Sequence, residues 1–337
     1  MTKTHPLTFD QPLRAEEMSR VMTAIMSGKS TPEEVRTFLT TLARRGETAE
    51  ELAAAVQVLR AHAMPLPLST SYELCDTCGT GGDGTGSFNI STLSALVAAA
   101  AGVRVAKHGN RAASSRCGSA DLLEALGVNL EASPEQVARC IEEVGFGFCF
   151  APRFHPAMKA VASIRKELGI RTIFNLVGPL ANPAPLTFQF VGVSEARLMR
   201  PMAEALVRLG VRHGMVVHGR DGLDEVTTTT ETDVLEVRAG RISEQRLDPQ
   251  RLGVPQATLT DLRGGDAQHN ARLAQALLGG TRSALRDIIV VNAGCAIYVA
   301  DRTTTIAEGM KHASDALSSG RALKVLEQVK ELSGHVG

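Results

Sequence analysis

Two segments of the chain contain residue types that bind phosphate groups. The first is residues 79–92, which read Gly-Thr-Gly-Gly-Asp-Gly-Thr-Gly-Ser-Phe-Asn-Ile-Ser-Thr and lead into an apolar helical pattern. Glycines allow backbone N–H groups to turn toward a ligand, and the helix that follows adds the positive end of its dipole. Asn89 or Ser91 can cap that helix. This segment therefore predicts an anion-binding loop at a helix N-terminus.

The second segment is basic. Residues 107–115 read Lys-His-Gly-Asn-Arg-Ala-Ala-Ser-Ser, directly after a short apolar run that predicts a strand. A dinucleotide-binding fold would place an acidic residue about 20 positions after its glycine loop, but no carboxylate lies between Asp83 and Asp121. A Walker loop would end in Gly-Lys-Ser or Gly-Lys-Thr, whereas this loop ends in Gly-Ser-Phe. Together the two segments predict a polyphosphate site.

Alternating strand and helix patterns position these segments. Short apolar runs predict strands at residues 104–107, 147–150, 188–193, 215–218 and 288–292. Helical periodicity predicts helices at residues 92–101, 120–126, 134–144, 156–168, 195–209, 270–278 and 306–332. This alternation indicates an α/β fold with a mainly parallel central sheet flanked by helices. Ligands of such sheets bind at the carboxyl ends of the strands, where both segments begin.

The N-terminal region has helical periodicity and no strand pattern. Met18, Met22 and Ile25 form an apolar stripe, and Thr31-Pro32 is a typical cap and first turn of a helix. We predict a small N-terminal helical subdomain at residues 1–70, joined by a segment near residues 165–185, and a larger α/β domain at residues 71–337.

Charge and cysteine content exclude several classes of protein. Lys plus Arg and Asp plus Glu both total 36, so the net charge is zero and no global field favours nucleic acid or a membrane surface. No apolar run has the length of a membrane span, and the first residues lack a signal-peptide pattern. The six cysteines are therefore expected to be free thiols in a reducing cytoplasm. Cys75 and Cys78 lack a second ligand pair for zinc, which favours a packing role.

Seven motifs follow one another along the chain, at residues 79–84, 89–92, 107–115, 153–159, 165–172, 174–183 and 221–225. Their sequences and order resemble those of the anthranilate phosphoribosyltransferases, which are similar to the nucleoside phosphorylases and form with them the type III phosphoribosyltransferase family. The resemblance implies transfer of the phosphoribosyl group of phosphoribosyl pyrophosphate (PRPP) to the amine of anthranilate, giving N-(5-phosphoribosyl)anthranilate and pyrophosphate in tryptophan biosynthesis. It also implies Mg²⁺, with two ions, and a homodimer packed through the helical part.

The resemblance also implies which residues bind each substrate. Those expected to bind PRPP are Gly79, Gly82, Asp83, Ser87, Asn89, Ile90, Ser91, Thr92, Lys107, His108, Gly109, Asn110, Arg111, Ala112, Ala113, Ser114, Ser115 and Ser119. Those expected to bind anthranilate are Gly79, Asn110 and Arg165, with His108, Arg153, His155 and Pro156 along the access path. Ser87 stands where the family pattern has Thr and keeps the hydroxyl.

Metal ligands and a catalytic base are the remaining assignments. Spacing alone favours a solvated acidic turn for Asp224 and Glu225, whereas the resemblance implies that they bind Mg²⁺, with the Ser91 hydroxyl on a second ion. Arg165 can hold the acceptor carboxylate with its planar fork, which Lys could not reproduce. An aromatic amine arrives neutral and needs no strong base, so the catalytic residue stays unassigned, with His108 as the candidate.

Two rival functions remain open. A pyrimidine-nucleoside-phosphorylase-like enzyme would share the fold and the glycine loop, but it would not need the pair Asp224 and Glu225. A non-enzymatic relative that binds nucleic acid should show a strongly positive charge, and this chain is neutral. We expect small-molecule substrates and neither a nucleic-acid nor a membrane partner.

Overall fold

The computed structural model of the chain describes residues 9–112 and 115–334. It opens with three helices, α1 (Ala15–Met26), α2 (Pro32–Arg45) and α3 (Ala49–Ala61). Thr31 caps α2, where its hydroxyl accepts the N–H of Glu34 at 3.3 Å, and Thr48 caps α3 in the same way. The helix start predicted at Thr31-Pro32 is confirmed.

Strands and helices alternate along the rest of the chain. They are β1 (Leu74–Gly79), α4 (Ile90–Ala100), β2 (Val105–Gly109), α5 (Ser119–Ala125), α6 (Pro134–Arg139), β3 (Phe146–Phe150), α7 (Ala151–Phe154), α8 (Lys159–Leu168), α9 (Ile173–Leu180), β4 (Leu186–Gly192), α10 (Met199–Arg208), β5 (His213–Gly219), β6 (Thr232–Arg238), β7 (Arg241–Leu247), α11 (Ala267–Leu278), α12 (Ala284–Val299), α13 (Ile306–Ser318) and α14 (Arg321–Ser333). Among the described residues, no helix is long and apolar enough to cross a membrane.

The seven strands form one sheet in the order β3-β2-β1-β4-β5-β6-β7. The first five strands of this order are parallel, and β6 and β7 add antiparallel pairs at one edge. The predicted fold class, a mainly parallel sheet flanked by helices next to a small helical part, is confirmed. Because parallel strands end at one edge, that edge gathers the loops that follow β1, β2, β4 and β5.

Helices cover both faces of the sheet. Side chains alternate between the faces, so that Phe190 and Met215 join the core formed with α4, α5 and α11 to α14. Val191 and Val216 join the core on the opposite face, formed with α1, α2, α3, α8, α9 and α10. Since α8 and α9 pack against α2 and α3, the cleft between the helical part and the carboxyl edge of the sheet has walls from both.

One prediction about local structure is wrong, and a hairpin and a short helix were missed. Residues 288–292 are not a strand but the middle of α12, a helix buried on almost all sides, where a run of apolar residues carries no period. Residues 306–332 are helical as predicted, and they are divided into α13 and α14 because Gly320 turns the chain with a φ of 76°. The hairpin of β6 and β7 and the short helix α9 were not predicted.

Candidate active site

The glycine-rich loop leaves β1 at the carboxyl edge of the sheet and enters α4. Four of its glycines have φ between 63° and 75°, namely Gly81, Gly82, Gly84 and Gly86. Residues with side chains rarely adopt this left-handed region. The Asp83 carboxylate folds back on the loop and accepts hydrogen bonds from the Thr85 hydroxyl (2.7 Å) and N–H (3.2 Å). Asp83 thus fixes the turn at Thr85, while the four glycines carry no side chain that would obstruct a ligand from reaching the backbone.

A distant carboxylate caps α4. Asn89 occupies the N-cap position but makes no capping bond, since its amide donates to the Cys117 carbonyl (3.0 Å) and accepts from Asn270 (2.9 Å). The N–H of Ser91 donates instead to Glu225, at 3.0 Å across 134 residues. The prediction that Asn89 or Ser91 caps this helix is therefore wrong. The carboxylate of Glu225, at the positive end of the helix dipole, makes the capping hydrogen bond instead.

Asp224, which is half-buried, and Glu225, which is buried, form an acidic pair beside the loop. Asp224 accepts the N–H of Gly81 at 2.8 Å. Burial, with the charge of Asp83, raises the pKa of Asp224 to about 6. Burial, with the neighbouring Asp224, raises the pKa of Glu225 well above its usual range. The raised pKa values indicate that the surrounding residues do not neutralise the charge of these two carboxylates, as expected at a site that binds a cation.

A divalent cation with a preference for hard oxygen ligands fits this pair. One oxygen of each carboxylate accepts a hydrogen bond from a backbone N–H, and the other oxygen remains available for a ligand. Across residues 9–112 and 115–334, no three His, Cys, Asp or Glu side chains form a closed metal cluster. An ion held here would therefore complete its shell with hydroxyl, water or ligand oxygens.

Lys107 places a buried positive charge next to Ser91, in the first turn of α4. Its side chain is 1% exposed, and its ammonium donates to the Thr77 carbonyl (2.6 Å) and the Ser91 hydroxyl (3.4 Å). Ser91 therefore stands between the ammonium of Lys107 and the carboxylate of Glu225. Three residues predicted at separate points of the sequence meet at one place.

The basic segment after β2 is held by α5. The Arg111 guanidinium pairs with Glu124 at 2.7 Å and with Asp121 at 3.1 Å, which raises the pKa of Arg111 further. Asp121 also accepts the N–H of Ala112 at 2.9 Å. The structure thus directs the Arg111 side chain to α5 rather than leaving its charge free for a ligand.

The other residues predicted to bind PRPP differ in exposure. Gly82, Asn110 and Ser115 are exposed, and Gly79, Asp83, Ser87, Asn89, Ser91, Gly109, Ala112 and Ser119 are half-buried. Ile90 and Thr92 are each 1% exposed in the first turn of α4. Ser119 donates to the Asn110 carbonyl at 3.3 Å. Ala113 and Ser114 lie outside the described residues.

A cavity of about 390 Å³ opens next to the loop. Its walls come from the ends of β1 and β2, from α3 and from α7 to α9. Gly79, Asn110 and Arg165, predicted together for the acceptor, all line it, as do His108 and His155. Arg153 and Pro156 do not line it. Arg153 instead donates to the Ala132 carbonyl at 3.1 Å.

Arg165 is the half-buried cation of this cavity, and the exposed Lys159 also lines it. Arg165 shares one wall with Met158 and Ala162, as the helical spacing predicts, and its guanidinium lies 5.4 Å from the centre of the Phe174 ring. Burial lowers the pKa of Arg165, and no carboxylate of the described chain pairs with it. The neighbouring Glu167 binds Arg36 at 3.0 Å. An unpaired, half-buried guanidinium suits an incoming carboxylate.

Two histidines form the floor of the cavity. His108 and His155 meet edge to face with ring centres 5.2 Å apart. Nδ1 of His108 donates to the Gly178 carbonyl at 3.1 Å, so the neutral ring leaves Nε2 as an acceptor. Burial, with His155 nearby, lowers the pKa of His108 to about 3. Nε2 of each ring is buried with no partner in the described structure.

Sequence reasoning missed two residues that position the acidic pair. A Cβ built on Gly192, at the end of β4, would overlap the backbone of Asp224. Asn292 of α12 accepts the N–H of Val226 at 2.9 Å and donates to the Val226 carbonyl at 2.8 Å, which fixes the residue after Glu225. A glycine ending a buried apolar strand was a usable signal for Gly192, whereas Asn292 lay in the mispredicted strand.

Known proteins resemble this chain over nearly its whole length. Residues 71–323 match the a/b domain of a glycosyl transferase family, and residues 6–63 match its helical bundle domain. The anthranilate phosphoribosyltransferase of Alkaliphilus metalliredigens is 49% identical over 323 residues, covering 96% of this chain and 95% of that one.

Solved structures agree with these matches. Anthranilate phosphoribosyltransferase from Thermus thermophilus superposes with a TM-score of 0.91 at 48% identity, covering 96% of this chain and 97% of that one. The Saccharomyces cerevisiae enzyme in complex with PRPP and Mg gives a TM-score of 0.86 at 28% identity, with coverages of 95% and 93%. Its complex with 4-fluoroanthranilate gives 0.84 at 27% identity, with the same coverages.

Proposed function

Since the chain belongs to the anthranilate phosphoribosyltransferase family of glycosyl transferases, we propose that its glycine loop and its cavity are the donor and acceptor halves of one active site. The enzyme transfers the phosphoribosyl group of PRPP to the amine of anthranilate in tryptophan biosynthesis, giving N-(5-phosphoribosyl)anthranilate and pyrophosphate. The observation that carries the site assignment is that Gly79 borders both the acidic pair and the cavity.

PRPP binds along the carboxyl edge of the sheet in this proposal. The loop glycines offer backbone N–H groups, the N-terminus of α4 offers its dipole, and Lys107 adds a charge beneath Ser91. Asn110 and Ser119, which hydrogen-bond each other, border the far side. Arg111 contributes through its backbone, because α5 holds its side chain.

Magnesium fits the donor side. In this proposal Asp224 and Glu225 would hold one ion, and the Ser91 hydroxyl would help to hold a second. When bound, Mg²⁺ neutralises charge on the leaving pyrophosphate. Support comes from the excess of buried negative charge at the pair and from the magnesium in the yeast complex.

The protein's own contribution is charge stabilisation and positioning. Loss of pyrophosphate leaves an oxocarbenium-like sugar, so the transition state gains negative charge on the leaving oxygens. Fixed donors aimed at that charge, from the loop, α4 and Lys107, lower the barrier. Arg165 and Asn110 hold the acceptor so that its amine faces the donor side of the cavity, which makes the attack effectively unimolecular.

We expect His108 to act as a neutral acceptor for the amine proton. Asn at position 108 can keep the hydrogen bond to Gly178 but lacks the Nε2 acceptor, so His108→Asn should lower kcat about 10- to 100-fold. Because the pKa of His108 lies near 3, the ratio of wild-type to variant kcat should stay constant from pH 5 to 9. Rate profiles over that range test this, and a ratio that changes around pH 6 to 7 would contradict it.

Gly192→Ala should damage the metal site without touching either substrate. The new methyl group must displace the Asp224 backbone, so half-maximal activity should require about tenfold more Mg²⁺, with kcat also reduced. Magnesium titrations of initial rate give the answer. Val191→Ala, which removes side-chain atoms from the core on the helical face, is the control. Equal magnesium requirements in both variants would exclude the positioning role of Gly192.

Family membership also leads us to propose a domain division, an oligomeric state and a cellular location. We place the domain division at residues 1–70 and 71–337, with the segment near residues 165–185 joining the parts, supported by the packing of α8 and α9 on α2 and α3. The enzyme forms a homodimer through the helical part, which light scattering would test. Its six cysteines are free and buried, in keeping with a cytoplasmic location. No nucleic-acid partner is proposed.

Anthranilate fluorescence tests the function directly. It should decay when PRPP and Mg²⁺ are added to the enzyme and should persist when a chelator is present. If a folded enzyme bound PRPP but left anthranilate unchanged, the pyrimidine-nucleoside-phosphorylase-like alternative would be next, with nucleobases as acceptors.

A further inference from the structure

One arginine connects the wall of the acceptor cavity to the loop on the donor side. Arg171 lies in the four-residue link between α8 and α9, the two helices that carry Arg165 and Phe174. Its guanidinium does not point into the cavity. It reaches across to the residues after β4, where it donates to the Ser194 hydroxyl at 3.0 Å and to the Glu195 carboxylate at 3.1 Å.

Ser194 continues the connection to the glycine loop. Its N–H donates to the Thr80 hydroxyl at 3.2 Å, and its own hydroxyl lies 3.5 Å from that atom. The N–H of Thr80 in turn donates to the Gly192 carbonyl at 3.0 Å. The next residue, Gly81, donates its N–H to Asp224. A series of hydrogen bonds therefore runs from the α8–α9 link to the acidic pair.

Arg171 has fewer hydrogen-bond partners than a purely structural arginine would have. Nε and Nη2 of Arg171 are buried without a partner in the described parts of the chain, and buried donors in native proteins are normally paired. Arg197 already pairs with Glu195 at 2.7 Å, so that carboxylate does not depend on Arg171. A side chain selected only for stability would not leave two donors unpaired.

We propose that Arg171 is a positioning residue that couples the two halves of the active site, so that a ligand in the donor half raises the affinity of the cavity for anthranilate. This rests on the assignment of donor and acceptor sites above. The coupling follows because Ser194 contacts both Thr80 of the glycine loop and Arg171 of the link between the acceptor helices. Ordering either side lowers the cost of ordering the other, and the effect is reciprocal.

Anthranilate fluorescence measures the coupling without turnover. The dissociation constant of anthranilate is determined with and without magnesium pyrophosphate, which lacks the sugar and cannot react. We expect pyrophosphate to tighten anthranilate binding by roughly 5- to 50-fold in the wild type. In Arg171→Lys, which keeps the charge and loses the fork, and in Ser194→Ala, the factor should fall to about 1.

Conservative and neighbouring variants serve as controls. Ser194→Thr keeps the hydroxyl, and Arg197→Lys changes the other partner of Glu195, so both should keep the wild-type factor. Wild-type coupling in Arg171→Lys and Ser194→Ala, or no coupling in the wild type, would overturn the proposal. If Arg171→Lys fails to fold, Ser194→Ala decides. Turnover of PRPP and anthranilate by the wild type tests the site assignment separately.

Discussion

The double substitution Asp224→Asn and Glu225→Gln should reduce magnesium-dependent turnover by about 1,000-fold or more. Both amides keep the oxygens that accept the N–H groups of Gly81 and Ser91, so the loop and the start of α4 keep their hydrogen bonds. What disappears is the negative charge that binds the cation. Initial rates over a wide range of Mg²⁺ concentration measure the loss, and full activity in the variant would remove the metal assignment.

The free energy of unfolding of this double variant should not fall, so its loss of activity can be distinguished from unfolding. Burial raises the pKa of both carboxyl groups in the folded protein. Their contribution to stability is therefore complete below the unfolded-state pKa and is lost as pH rises through the folded-state pKa. The amides do not ionise, so at pH 7 in chelator the variant should have an equal or higher free energy of unfolding. Glu231→Gln, half-exposed beside Arg246, is the surface control and should keep wild-type activity.

The parts of the fold that the sequence predicts are those whose local pattern agrees with the final packing. Strands β2 to β5 were found because each is a short apolar run next to a helical pattern. The strand predicted at 288–292 was wrong because α12 is surrounded by protein, and burial on all sides removes the polar face that marks a helix. The hairpin of β6 and β7 was missed because β7 is mostly exposed and polar.

The active site was predictable where its chemistry lies in contiguous motifs. The glycine loop, Lys107, Arg165 and the acidic pair each occupy one short segment, and a parallel sheet brings such segments to one edge. Their partners were not predictable. Glu225 caps α4 from 134 residues away, and Asp121 and Glu124 bind the guanidinium of Arg111. Only the three-dimensional arrangement determines which charge remains free for a ligand.

The same reasoning distinguishes the two cations predicted for substrate binding. Arg111 has two carboxylate partners in α5 and is half-exposed, so a ligand would have to compete with them. Arg165 has an aromatic ring beside it and no carboxylate partner in the described residues, inside a cavity that excludes much of the solvent. Selectivity for a carboxylate-bearing acceptor should therefore depend on Arg165.

Arg165→Ala should raise the KM for anthranilate and lower kcat/KM by about 100-fold, since two charge-assisted hydrogen bonds in a partly dry site are lost. Arg165→Lys should recover only part of this, because a point charge cannot form the paired bonds of the fork. The dissociation constant of PRPP measured without anthranilate should change by less than about threefold, because the donor half lies outside the reach of this side chain. Lys166→Ala, exposed on the next position of α8, is the control.

A comparison of anthranilate with aniline as acceptors tests whether Arg165 binds the carboxylate of anthranilate. Aniline has the amine of anthranilate without the acid group, so the wild type should prefer anthranilate by about 100-fold in kcat/KM, and Arg165→Ala should lose most of that preference by reacting poorly with both. Initial rates with each acceptor at saturating PRPP measure the ratio. If Arg165→Ala weakened PRPP and anthranilate equally, or kept the wild-type preference over aniline, Arg165 would not be the carboxylate-binding residue. A preserved preference would move that role to another polar donor of the cavity wall, such as Asn110, Lys159 or Asn175.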